Sequence, residues 1–331
     1  MVNQPEHKLP IAIIVQALRK SFGQLKAVEN VEFSVRKGEI YGFLGPNGAG
    51  KTTTINMLTG LARPDSGRIS YFGVDYTADI KQAQHLMGIV SDESNLYPEL
   101  TGRENLNFCA SLYGMPGRER EGRCSRLLES FGLLDAADRG FATYSKGMKR
   151  KLTIAAGIIH RPKILFLDEP TTGIDVASAR QIRSLLSGLN SEGTTIFLTT
   201  HYIEEAERLC DRVAFIVEGK IVRVGEIDEL MSSLDAGHVL EIVSNGDSDK
   251  LAADLAGEFQ NISTEAVGTG RIRLYSGSKL DLALLFGFFE RQGIEMTEAR
   301  QVRPTLEDVF VRVTGLGINE INKGTMGRRR G

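Results

Sequence analysis

The chain has 331 residues, 41% of them hydrophobic and 25% charged, with a formal net charge of -2. This is the composition of a soluble globular protein long enough for one large α/β domain and a smaller second one. It lacks the basic excess of a polyanion-binding surface, so no nucleic-acid partner is expected.

No apolar run approaches the ~20 residues of a membrane-spanning helix. Cys109, Cys124 and Cys210 are scattered through helix-like segments without a CxxC pair, which suits a reducing cytoplasm. The first ten residues read as frayed. The run Ile11-Ala12-Ile13-Ile14-Val15 is too short for a signal peptide and reads as a strand. Val28–Val35 alternates through Val31, Phe33 and Val35 as a second strand. Arg36-Lys37-Gly38-Glu39 then turns into the apolar run Ile40-Tyr41-Gly42-Phe43-Leu44.

That run leads into Gly45-Pro46-Asn47-Gly48-Ala49-Gly50-Lys51-Thr52-Thr53 and then Thr54-Ile55-Asn56-Met57-Leu58. Strand, glycine-rich turn and helix are the context of a phosphate-binding P-loop. Glycines let backbone N–H groups turn inward as a nest for oxyanions, and the helix start adds positive potential. Lys51 adds a full charge, and the Thr52 hydroxyl is placed for a magnesium ion bridging the phosphates. The pattern predicts binding of a nucleoside triphosphate.

Arg63-Pro64-Asp65-Ser66-Gly67 is a turn, and Arg68–Phe72 returns as a strand. From about Asp92 to Pro162 the spacing becomes helical, with one face of Leu106, Cys109, Ala110 and Tyr113, a second of Leu127, Leu128 and Phe131, and a third of Met148, Leu152, Ala155 and Ile159. Ile164-Leu165-Phe166-Leu167 reads as a strand buried on both faces of a parallel sheet. A helix through Ile182, Leu185, Leu186 and Leu189 follows, then strand Thr195–Thr199, helix Tyr202–Cys210 and strands Val213–Val217 and Ile221–Val224.

Beyond Leu234 the composition shifts toward Asp, Ser and Gly. Strands are expected at Val239–Val243, Asn261–Val267, Arg271–Tyr275 and near Ile294–Val302. Helices are expected at Ser248–Ala256, Lys279–Arg291 and Thr305–Val313. The expected divisions are an α/β nucleotide-binding domain over 11–230, with a helical subdomain at about 92–162, and an accessory α+β domain over 235–315 that carries no recognisable chemical constellation. A flexible tail over 316–331 contains Arg328-Arg329-Arg330.

Asp168-Glu169 ends the buried strand, where acids meet a ligand held at a neighbouring P-loop. Asp168 is placed for magnesium, and Glu169 for orienting and partly deprotonating the attacking water. His201 follows a strand expected beside them, within reach of a γ-phosphate, although a lone histidine there also suits a surface or cap position.

In this order the P-loop, Tyr144-Ser145-Lys146-Gly147-Met148, Ile164–Glu169 and His201 resemble the nucleotide-binding subunits of ABC transporters, and Gly173-Ile174-Asp175 resembles the D-loop of that family. The resemblance covers roughly Ile11–Glu229 and implies a P-loop ABC-type fold, MgATP as ligand and ATP hydrolysis. It implies that Phe22 stacks on adenine, that Ser145 and Gly147 cap the γ-phosphate bound to a second copy, and that Asp175 communicates across the dimer. It departs from the usual LSGGQ signature at Lys146 and Met148. The glutamine usual near Ile89–Ser94 is absent; Asp92 aligns with it, and a carboxylate can accept from water or ligate magnesium but cannot donate.

With Pro304-Thr305-Leu306-Glu307-Asp308-Val309-Phe310, these departures resemble the branch serving bacterial exporters of drug, antibiotic, lantibiotic or sodium type, whose permease is a separate chain. The resemblance places the protein on the cytoplasmic face of the membrane, as a homodimer under that permease. The segment from Asp92 to about Tyr113 is then the docking groove, with Leu96 and Tyr97 exposed or, alternatively, part of the core. A soluble ABC-type ATPase acting as a regulatory switch is the rival reading; a single P-loop and no extended heptads argue against it.

Overall fold

A computed structural model describes residues 10–232, 238–302 and 305–315. The expected basic tail and Pro304 lie outside the described residues. The chain begins with a long hairpin of β1 (Ile11–Phe22) and β2 (Leu25–Arg36). β1 runs well past Val15, where the apolar run stops. Ala17 has φ +49° and the pairing register slips between Val15 and Leu18, which breaks the alternation that marks a strand in sequence.

β3 (Ile40–Leu44) feeds α1 (Lys51–Thr59), and β4 (Ser66–Tyr71) and β5 (Val74–Asp75) complete an antiparallel sheet of order β2-β1-β4-β5. β6 (Met87–Val90) carries no sequence signal beyond its brevity. Its Gly88 is required by packing, since a Cβ there would lie 2.3 Å from the Gly157 carbonyl oxygen.

Three helices follow: α2 (Gly102–Leu112), α3 (Gly117–Ser130) and α4 (Lys146–Gly157). Thr101 and Glu104 close a capping box at the start of α2, which fixes where that helix begins. On α4 the buried side includes Leu152 and Ala155 as expected, but Met148 is only half-buried and Arg150 is buried instead.

The core then alternates through β7 (Ile164–Asp168), α5 (Val176–Ser191), β8 (Thr195–Thr200), α6 (Ile203–Leu209), β9 (Arg212–Val217) and β10 (Lys220–Glu226). Cys210 stands one residue past α6, as its cap. The resulting sheet has the order β10-β9-β3-β8-β7-β6, with parallel pairing from β9 to β6. Every residue of β3, β7 and β8 is buried, which is why β3 and the first four residues of β7 read as unbroken apolar runs, while β8 frames Ile196-Phe197-Leu198 with buried threonines. Phe33 of β2 joins the two sheets, with ring centroids 5.6 Å from Tyr41, 5.6 Å from Phe43 and 5.7 Å from Phe197. β8 lies between β3 and β7, and its register sets Leu44 beside Thr200 and Asp168 beside Thr199. The carboxyl ends of the three strands therefore open onto one crevice.

Residues 10–225 form one compact unit and 226–315 a second. The second contains α7 (Ile227–Ser232), β11 (His238–Ser244), α8 (Ser248–Glu258), β12 (Ile262–Gly268), β13 (Arg271–Ser276), α9 (Leu282–Gln292), β14 (Met296–Val302) and α10 (Leu306–Thr314). Its antiparallel sheet, of order β12-β13-β11-β14, packs Leu240, Ile242, Ile272 and Leu274 against Leu251 and Leu255 of α8 and Leu285 and Phe288 of α9.

A second set of side chains on this sheet is charged. Glu241 is buried, with Arg300 Nη2 at 2.7 Å and Arg273 Nε at 3.1 Å. Arg273 also reaches Asp308 of α10 at 2.9 Å, and Tyr275 donates to the same carboxylate at 2.7 Å.

Candidate active site

The loop after β3 is shaped by where its backbone must pass. A Cβ at Gly45 would lie 2.1 Å from the Ile216 carbonyl oxygen, and one at Gly50 2.4 Å from that of Ala27. Gly50, at φ +105°, is also the N-cap of α1, and no side chain caps the helix there. The N–H groups of its first turn are thus left to an outside acceptor. Lys51 is buried and folds back over the loop, donating to Gly45 O at 2.8 Å and Pro46 O at 3.3 Å.

Lys51 also meets Glu169 Oε1 at 3.2 Å. His201 Nδ1 lies 2.9 Å from the other oxygen of that carboxylate, Oε2, and Thr172 Oγ1 donates to the same atom at 3.1 Å. Burial alone raises the Glu169 carboxyl, but the His201 hydrogen bond and the charges of Lys51 and His201 outweigh it and hold the group below the ordinary carboxylate range. Glu169 also sits at φ +49°, a left-handed conformation that costs a residue other than glycine roughly 1–3 kcal/mol. The proline after it disfavours helical backbone there as well. Asp168 is buried, and Thr199 Oγ1 donates to its Oδ1.

A cavity of about 940 Å³ is lined by Phe22, Lys26, Lys51, Thr52, Asp168 and Glu169, together with Asn47, Gly48, Gly50, Thr53 and Asp92. Its volume suits a nucleotide. Phe22 is 54% exposed, with Lys20 Nζ 5.4 Å from its ring centroid and Lys20 itself anchored on Asp65 at 2.8 Å. The Asp92 carboxyl is raised, chiefly by burial, with Arg150 opposing and Asp168 and Glu169 adding to the rise. Pro46, Ala49 and Gly45 belong to the same loop, and His201 joins the group through Glu169.

Ser145, Gly147 and Asp175 do not line this cavity. Ser145 caps α4, accepting from the Met148 N–H at 3.2 Å, and Asp175 caps α5, accepting from the Ser178 N–H at 2.8 Å. The two helix starts touch: a Cβ on Gly147 would lie 2.2 Å from Ser178 Oγ. The first turn of α4 holds no acid, while Lys146 and Lys149 stand at its positive end.

Arg150, Thr172 and Thr199 escaped sequence reasoning. Arg150 carried one signal, standing one turn beyond Gly147. Its guanidinium donates to Pro170 O at 2.9 Å, Asp168 O at 2.6 Å, Asp92 O at 3.2 Å and Ser91 O.

The arrangement has counterparts. The ABC transporter family profile matches residues 28–172. The linearmycin resistance ATP-binding protein LnrL of Bacillus subtilis is 40% identical over 69% of this chain and 74% of its own. The daunorubicin/doxorubicin resistance ATP-binding protein DrrA of Streptomyces peucetius is 36% identical over 92% of each chain. Among solved structures, an ATP-binding subunit of an ABC transporter superposes with a TM-score of 0.61 at 31% identity, covering 67% of this chain and 92% of that one. A dimeric cassette, MJ0796, in a post-hydrolysis state with ADP and phosphate gives 0.60 at 25% identity, covering 65% and 98%. A P-loop, paired carboxylates at a parallel strand end and full-length likeness to such proteins lead to one assignment: this chain belongs to the ABC transporter family, as one of its ATP-binding, ATP-hydrolysing subunits.

Proposed function

We propose that the protein drives a bacterial exporter of the drug or antibiotic type, working as a homodimer on the cytoplasmic face of the cell membrane beneath a separate integral-membrane permease. One observation carries the homodimer, and the relatives' names given below support export. Lys51, Thr52, Asp168 and Glu169 share a cavity, whereas Ser145, Gly147 and Asp175 stand at helix starts that do not line it. A second copy supplies the missing lid. The cationic first turn of α4 is unfavourable in isolation and becomes favourable over a triphosphate.

In this reading ATP stacks its base on Phe22 and lays its phosphates along Gly45–Thr53. Lys51 leaves the Glu169 carboxylate for phosphate oxygens, while His201 keeps its own hold on Glu169. The Glu169 carboxylate, still held by His201 and Thr172, is a weak base, which suits it to orienting and polarising the attacking water. Magnesium fits the oxygen donors available; Thr52 and Asp168 would hold it, and it would neutralise charge shared between the β- and γ-phosphates. Asp92 lines the same cavity and is assigned a contact with water at the γ-phosphate.

The permease is assigned to the surface between Asp92 and Tyr113. There Tyr97 is 49% exposed and packs edge-on against Phe108 with centroids 5.1 Å apart, and Leu112 and Tyr113 are exposed beside them on the chain. Leu96 is half-buried. No helix among the described residues is long and apolar enough to cross a membrane. The relatives' names, which speak of drug resistance and of Nod factor export, favour transport over a soluble regulatory switch. The proposed division is an ATPase domain over 11–230 with its helical part at about 92–162, and an accessory domain over 235–315 that stabilises the dimer, contacts the permease or restrains ATPase activity; the compact units divide slightly earlier, at 225/226.

The test is Glu169→Gln. Turnover is expected to fall about 10²–10⁴-fold, and light scattering with excess MgATP should find a stable dimer. Wild-type turnover, with a monomer throughout, contradicts the proposal.

A further inference from the structure

Glu169 needs something to keep it where it is. Its left-handed backbone precedes a proline, and its carboxylate must face Lys51 and His201 at once. Part of the hold comes from β8, since the Glu169 N–H donates to Thr199 O at 3.1 Å. Thr172 adds its own N–H to the Glu169 carbonyl at 3.3 Å, and a further hold comes from α4. Arg150 Nη2 donates to the carbonyl of Asp168 at 2.6 Å and Nε to that of Pro170 at 2.9 Å, so one rigid fork grips the peptide that enters Glu169 and the one that leaves Pro170, bracketing the glutamate. Its third nitrogen holds the carbonyls of Ser91 and Asp92.

These acceptors are main-chain oxygens, none of them the charged partner a buried arginine ordinarily takes. Arg150 is 8% exposed; burial holds its guanidinium below the ordinary arginine range, and the nearby carboxylates of Asp92, Asp168 and Glu169 offset only part of that cost.

We propose that Arg150 is a positioning residue for hydrolysis: it clamps the strained backbone of Glu169 and ties it both to α4, one turn beyond Gly147, and to the Ser91–Asp92 loop. The consequence is mechanical. Any displacement of α4 relative to β7 pulls on the carbonyls of Asp168 and Pro170, the residues on either side of Glu169, so the water-orienting carboxylate is set only when the helix is seated. A lysine cannot replace the fork, because a single ammonium reaches fewer of these carbonyls and lacks the planar geometry. The inference rests on the reading that Glu169 carries hydrolysis.

The experiment compares Arg150→Lys and Arg150→Met with wild type in the full-length chain, measuring kcat and KM for ATP and the melting temperature. Arg150→Lys is expected to lower kcat about tenfold or more with KM changed less than about threefold. A kcat within twofold of wild type in a folded variant overturns the proposal, as does a loss shared equally between kcat and ATP affinity. Arg150→Met leaves buried carbonyls unpaired; if it does not fold, Arg150→Lys carries the test. A double variant adds a second arm. If Arg150 acts through Glu169, then Arg150→Lys on the Glu169→Gln background should cost less than about twofold more in single-turnover rate; a further tenfold loss overturns it. Wild-type turnover in Glu169→Gln alone would instead sink the functional reading, whatever Arg150 does.

Discussion

The protein buries charged networks in both of its units, and they are built to different ends. In the second unit Glu241 and Asp308 meet Arg273, Arg300 and Tyr275. Asp308 also accepts from Thr305, closing a capping box at the start of α10. In the first unit Lys51, Glu169 and His201 make comparable contacts, but around them lie a cavity, a helix start without a side-chain cap and a glutamate in left-handed backbone. Buried charge is common to both; among the described residues, a nucleotide-sized cavity beside the network, a helix start without a side-chain cap and a non-glycine residue in left-handed backbone are found together only in the first. That combination, not ion pairing, marks where chemistry happens.

Substitutions should separate the two networks. The largest effect on stability is expected at Arg273→Met, which leaves Glu241 and Asp308 short of a partner; chemical denaturation should find a loss of about 3 kcal/mol. The ATPase rate per folded molecule should be retained, and a rate that collapses with stability intact would assign the second network to catalysis. Glu169→Gln should show the reverse pattern, losing turnover with a smaller change in stability. The smallest effect is expected at the cavity rim. Phe22→Ala should weaken ATP binding by about 1–3 kcal/mol, by analogy with base stacking on aromatic side chains, and equilibrium titration would detect it. Unchanged affinity removes Phe22 from the site.

Sequence carried the contiguous features well. The P-loop, the run ending in Asp168-Glu169 and the strand before His201 are each written in neighbouring residues, so composition and order expose them. The α+β character of the second unit was legible for the same reason, from short strand-like stretches such as Val239–Val243 and Arg271–Tyr275 interleaved with helix-like ones. What stayed hidden depends on chain segments meeting in space. β6 is four residues with a glycine inside, and β1 loses its alternation at Ala17. Arg150 reads as one more charge on a basic helix until the fold sets it beneath Asp168 and Pro170. The Glu169 conformation leaves no trace in residue type, since glutamate gives no sign of a positive φ.

The central claim is that each P-loop cavity is half of a site completed by a second copy. Mixing two disabled chains tests it most directly. Lys51→Ala removes the phosphate-binding charge, and Ser145→Arg blocks the start of α4, so each alone should be nearly inactive. In an equimolar mixture, heterodimers pair the intact P-loop of one chain with the intact Ser145 of the other. ATPase activity should then return to about a quarter of the wild-type rate, from one working site in half of the dimers. A mixture as inactive as its components, with heterodimers demonstrated, would contradict the account.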